Sequence, residues 1–121
     1  MQVHNTLGNG FQEVIYQRAL AIEMNLANLS FVREMEMPIF YRNEQIGTRR
    51  VAFFVENSVM LELKAIEKIV DVNKAQAINY LEAYHIADGV LINFGGLSLD
   101  IKRLYNKKMV EPANRNWSEH D

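Results

Sequence analysis

The 121-residue chain contains no cysteine. Disulfides, zinc–thiolate sites and a cysteine nucleophile are thereby excluded. Histidine is scarce: the three present are His4, His85 and His120, and no two stand at the spacing of an HExxH-type metal motif. Long apolar runs are missing too, and none approaches the ~20 residues of a membrane-spanning helix. The opening MQVHNTLGNG has neither the basic start nor the apolar centre of a signal peptide. A cytoplasmic protein with no membrane association is the default expectation. No repeat, low-complexity linker or domain boundary is visible. Neither sign of charge dominates, since 13 Lys and Arg face 15 Asp and Glu for a net charge of −2. That balance argues against a strongly basic coat for nucleic acid and still allows a local basic groove.

What is present suits one domain with a real core: 49% hydrophobic and 23% charged residues. The stretch VMLELKA, residues 59–65, organises it. Val59, Leu61, Leu63 and Ala65 share one face of a strand, and Met60, Glu62, Lys64 and Ile66 share the other. So apolar a run predicts a central strand buried on both faces. Glu62 and Lys64 then stand ~7 Å apart along the strand where water is scarce, and buried charges must be paired or bind something. The structural reading pairs them with each other or puts them at a wet sheet end. The functional reading is a metal-ligating carboxylate beside a cation that handles an anion.

Residues 1–8 read as a lead-in, with His4 at the surface or in packing. Asn9 is the expected N-cap, with Gln12 three residues on, and the helix runs to about residue 27. Phe11, Val14, Ile15, Ala19, Ile22 and Leu26 form its apolar stripe. Residues 31–41 read as a strand which Pro38 assigns to an edge or a bulge. A turn at residues 42–45 leads into a second strand, 46–56, with Arg50, Ala52 and Phe54 facing one way and Val51, Phe53 and Val55 the other. VMLELKA completes a three-stranded meander. A second helix spans about residues 71–85, carrying Gln76 and Tyr80 at i, i+4 with Asn79 beside them; Ala75, Ile78 and Leu81 line the adjoining face. Residues 87–94 form a strand reached by a crossover connection. Residues 97–105 form another, alternating Leu97, Leu99 and Ile101 against Ser98, Asp100 and Lys102. Residues 106–121, with the lone Trp117, read as a polar tail that packs loosely. The order αβββαβ(β) gives an α/β fold with a mixed sheet flanked by helices.

On these elements lies a resemblance. GFQEVIY, with Gly10, Glu13 and Tyr16, resembles the signature of the GxxExxY family. RRVAFFVENSVMLELKA, AQAINYL and GVLINFG resemble its later blocks, in the same order. The likeness covers residues 3–105. That family is placed in the PD-(D/E)XK nuclease-like superfamily, so the resemblance implies a restriction-endonuclease-like core over residues 1–105. It implies Glu62 and Lys64 as the ExK pair and Glu62 as a ligand of Mg²⁺ or Mn²⁺. In that chemistry the ion activates water and neutralises charge on phosphate, and the lysine stabilises the transition state. By the same resemblance Glu13 adds a carboxylate to the metal, Gln76 and Tyr80 border the site, and Arg50 meets phosphate. The chain departs from the pattern at Ala52, where the family reads Arg-x-Asp-Phe. Alanine offers no oxygen, and Glu56, ~13 Å along the strand, is too far to replace it.

Three functions follow as expectations: a metal-dependent nuclease acting on nucleic acid and impaired by Ala52, an inactive nucleic-acid- or protein-binding module on the same fold, and a structural protein that self-associates as a homo-oligomer. An exposed apolar face on the first long helix is the mark of the third.

Overall fold

The computed structural model describes residues 1–109. In chain order it forms α1 (Gln2–Leu7), α2 (Glu13–Leu26), β1 (Phe31–Tyr41), β2 (Glu44–Val55), β3 (Val59–Lys64), α3 (Asp71–Ala83), β4 (Asp88–Asn93) and β5 (Asp100–Tyr105), then a 3-10 turn at Lys107–Met109. The strands make one sheet in the order β1-β2-β3-β4-β5. The β3–β4 pair is parallel and the other three pairs are antiparallel. Parallel neighbours need a crossover, and α3 supplies it. The result is the mixed α/β architecture expected from the element order.

β3 is the middle strand, and its two faces separate as the alternation predicts. Leu61 and Leu63 pack with Tyr16, Leu20 and Met24 of α2. Met60 packs on the other side with Ala77 and Leu81 of α3. Pro38 lies on the edge strand β1 opposite Thr48, and the register shifts between Ile39 and Phe40. An edge position tolerates proline because only one side of the strand must donate to a neighbour. Arg42 and Asn43, at φ 49° and 67°, make a two-residue hairpin turn whose mirror-image geometry suits the strand twist. Glu44 and Gln45, expected in that turn, belong to β2. The Tyr84 hydroxyl, just past α3, donates to the carbonyl of Met37 at 3.1 Å and ties β1 to the helix layer.

Several expectations need correction. The lead-in holds a short helix with Val3 buried. The long helix starts at Glu13, with Gln12 rather than Asn9 as its N-cap. Tyr16 explains why: its hydroxyl donates to the Gly8 carbonyl at 2.6 Å and accepts from the Phe11 amide at 3.1 Å, fixing residues 8–11 as a loop. The expected stripe on this helix is largely exposed at Phe11, Val14, Ile22 and Leu26. Its buried side is Tyr16, Gln17, Leu20 and Met24. On α3 the buried residues are Ala77 and Leu81, and Ala75 is exposed. Leu97 and Ile101 are exposed, while Leu104 is the buried residue of β5. Asn106 is buried rather than part of a loose tail: it donates to the Leu81 carbonyl at 3.0 Å and accepts from the Lys108 amide. Trp117 and the rest of the expected tail from residue 110 on lie outside the described residues.

Candidate active cleft

The cleft arises where β2 leaves β3. Their ladder runs from Val55↔Val59 to Phe53↔Leu61 and stops there. At the same point β2 loses its alternation, and Val51, Ala52 and Phe53 are all buried. Ala52 joins the apolar cluster on the α2 side, and Val51 joins the one on the α3 side. Across from Ala52 on β1, between the pairs Arg33↔Phe53 and Met35↔Val51, Glu34 has a left-handed φ of 52°. Only glycine and a few polar residues take this conformation readily, so the strand pair is locally irregular there. The change of face turns Arg49, not Arg50, toward β3 and α3.

Arg49 donates from Nη2 to Oε1 of Glu62 at 3.2 Å. Its guanidinium lies 4.7 Å from the centre of the Tyr80 ring, a distance at which the ring face attracts a cation. Side-chain exposure is 32% for Arg49 and 5% for Glu62, so the carboxylate is the buried member. The Nε of Arg49 is buried and has no hydrogen-bond partner. The expected pairing of Glu62 with Lys64 is replaced by this contact, and among the described residues Lys64 makes no salt bridge. Burial pushes the Glu62 carboxyl above its ordinary value of 4.5 despite the attraction of Arg49 and Lys64, and the nearby charge of Glu13 pushes it the same way.

Arg49 and Glu62 form a wall between two cavities. One is open, about 170 Å³, and is bordered by Glu13, Gln17, Glu34, Arg50 and Ala52 as well as the pair. It has room for several waters. The other holds about 10 Å³ and is bordered by Lys64, Asn73, Gln76 and Tyr80 with the pair, space for about one water at most.

The structure therefore brings Glu62, Lys64, Gln76 and Tyr80 together on the α3 side, and Glu13 and Ala52 together on the open side. Arg50 reaches only the rim. Its guanidinium is bound to Glu36 at 3.1 Å, and both side chains are mostly exposed. Arg49, Gln17 and Glu34 also border the cleft, and strand and helix periodicity alone does not single them out. The doubled Arg49-Arg50 is the available signal, but strict alternation puts Arg50, and not the Arg49 that meets Glu62, on the side of the cleft. Gln17 accepts from Nε of Arg33 at 3.1 Å, which links α2 to β1 beside the open cavity. Among the described residues, no three His, Asp or Glu side chains come together as a metal-binding group. Ala52 supplies no oxygen, and one oxygen of Glu62 is committed to Arg49. This donor set does not fit a divalent ion.

Comparison with known proteins agrees with the architecture. The model of the PD-(D/E)XK nuclease superfamily matches residues 1–104. Among solved structures, the crystal structure of SSO0001 superposes with a TM-score of 0.57 at 16% identity. The match covers 75% of this chain and 48% of that one, so this chain spans about half the length of its structural neighbour. A search of curated proteins returned no match. With a family match across nearly all the described residues, and a mixed sheet that sets Glu62 and Lys64 in a cleft on its middle strand, the chain belongs to the PD-(D/E)XK nuclease superfamily.

Proposed function

We propose that this chain is a nucleic-acid-binding domain on the nuclease fold, with phosphodiester hydrolysis impaired at Ala52. The observation that carries the reading is the composition of the cleft. Glu62 and Lys64 converge there with Tyr80, Gln76 and Arg49, and a methyl group stands at the second-strand position. Superfamily members typically use a divalent ion, Mg²⁺ or Mn²⁺, to activate water and neutralise phosphate charge. The side chains of this cleft do not form such a centre, so its chemistry is read from its own residues.

Lys64 is half-buried beside Glu62 and acts as a point charge for a backbone phosphate. Arg49 adds a planar set of donors, of which Glu62 uses one. Gln76 and the Tyr80 hydroxyl can orient the phosphate oxygens. Glu13 stands at the first turn of α2, across the open cavity. No helix among the described residues is long and apolar enough to cross a membrane, and none is invoked. A homo-oligomer is favoured by one observation: Val14, Ile22 and Leu26 are exposed on α2. Light scattering that gives a monomer at working concentration removes that second reading.

The test of the main reading uses labelled single-stranded and duplex DNA and RNA, with Mg²⁺, with Mn²⁺ and with chelator. Binding without appreciable cleavage is expected, weakened by Lys64→Gln and by Gln76→Ala. No binding to any of these nucleic acids, or efficient metal-dependent cleavage by the wild-type chain, overturns it.

A further inference from the structure

We infer that Arg49 is the resident counter-cation of Glu62 and withholds that carboxylate from divalent metal ions. The inference rests on the family reading of the cleft. It explains why the metal chemistry usual in the superfamily and the side chains found here disagree.

The first argument is geometric. The guanidinium is held from two directions, by Oε1 of Glu62 at 3.2 Å and by the Tyr80 ring at 4.7 Å. Glu62 is the buried carboxylate of the cleft, so its negative charge requires a partner close by, and Arg49 is that partner. Unlike a metal ion, Arg49 is covalently part of β2 and cannot be diluted or chelated away.

The second argument is coordination. Mg²⁺ takes a near-regular octahedron of oxygens at ~2.0–2.1 Å and, with waters and phosphate filling most positions, still needs one or two protein carboxylates. An ion entering from the open cavity meets the methyl group of Ala52 and the one oxygen of Glu62 not bonded to Arg49; Glu13 and Glu34 also border that cavity, but the three carboxylates do not come together as a metal-binding group. To gain the second oxygen of Glu62 it must displace Arg49 and leave a guanidinium unpaired beside it. Lys64, two residues along the same strand, adds a further like charge.

The third argument is the path of β2. Strict alternation would send Arg49 to the α2 side. The irregular point at Glu34 and Ala52 sends it instead to the side of Glu62 and Tyr80. The position that lacks a carboxylate thus lies within the bend that delivers the cation. Loss of the ligand and gain of the internal charge belong to one local arrangement.

The test is Mn²⁺ binding in the absence of nucleic acid, so that its failure is distinct from failure of the binding reading. Isothermal calorimetry and the Mn²⁺-dependent shift in Tm are measured for the wild type, Glu62→Gln, Ala52→Asp, and Ala52→Asp combined with Arg49→Met or with Arg49→Gln. Using both Arg49 replacements guards against one that folds poorly. The wild type and Glu62→Gln should respond equally weakly to Mn²⁺. The double variants should bind Mn²⁺ about tenfold or more tighter than Ala52→Asp alone, the scale of one hydrogen bond to a charged group. Wild-type Mn²⁺ affinity that Glu62→Gln abolishes overturns the inference, because Glu62 would already be a ligand. So does Ala52→Asp alone binding as tightly as the folded double variants, because Arg49 would then withhold nothing.

Discussion

Replacing Arg49 by methionine keeps an unbranched chain over Tyr80 and removes the charge that faces Glu62. Breaking a fully buried pair costs ~3–5 kcal/mol, whereas an exposed pair contributes ~0–1 kcal/mol. Arg49 is about one-third exposed and Glu62 almost fully buried, so a loss of about 2 kcal/mol at pH 8 is expected. The loss should depend on pH in one direction. Glu62 already has a folded-state value above its ordinary 4.5 because burial disfavours the charge. Its contribution to stability is therefore present below pH 4.5 and is lost as the pH rises through the folded-state value. Without Arg49 that value moves higher still, and the neutral-pH deficit deepens. Urea unfolding is the assay. At pH 8 the midpoint should fall by about 1 M with m unchanged, and at pH 4, where Glu62 takes up a proton, most of the difference should vanish. An equal loss at both pH values, or a larger one at pH 4, refutes the assignment of Arg49 as the charge that offsets Glu62.

Asn93 is buried, and its side chain joins the ends of β3 and β4. Its Oδ1 accepts from the amides of Ile66 and Gly95, and its Nδ2 donates to the Ile66 carbonyl. Asn93→Leu should cost about 3 kcal/mol, one for each backbone group left unpaired; unfolding midpoints unchanged from wild type would show that the loop backbone finds other partners. At Gly95 any side chain would run into the backbone of Ala65 and Ile66, so Gly95→Ala should also destabilise by ~1–3 kcal/mol, read as a fall in Tm. Tyr16→Phe removes two hydrogen bonds but leaves the ring stacked on Phe94 at 4.6 Å. A loss of about 1–2 kcal/mol is expected, with faster hydrogen exchange at the Phe11 amide; protection at Phe11 equal to wild type would count against Tyr16 as the clamp of that loop.

Sequence pattern carried β3 and the crossover because burial on both faces leaves a strong apolar alternation in VMLELKA, and a strand–helix–strand unit permits few arrangements. Glu62 and Lys64 stood out for the same reason, as charges within that alternation. The buried side of α2 was not legible. Val14, Ile22 and Leu26 follow helical spacing as well as Tyr16, Leu20 and Met24 do, and only the sheet decides which set is covered. Arg49 was hidden by a backbone irregularity. Period-two counting assumes regular strands, and neither Glu34 nor Ala52 announces a positive φ across the ladder or a change of face. The short α1 escaped because six residues give too little periodicity, and Asn106 because a buried asparagine looks like any polar residue until its partners are seen.

The early end of the β2–β3 ladder makes the β1–β2 hairpin a cantilever. Its clamp is the hydrogen bond from Tyr84 to Met37, and Met37 pairs with Arg49. Beyond that clamp the strand residues 38–41 continue for ~13 Å as a two-stranded ribbon without a third strand, with Phe40, Tyr41 and Ile46 exposed. Such ribbons twist more than wider sheets and are barely stable alone. Bending concentrates at the root of a cantilever, and Arg49 stands at that root. The guanidinium that meets Glu62 is therefore carried at the junction where the two-stranded ribbon joins the packed sheet.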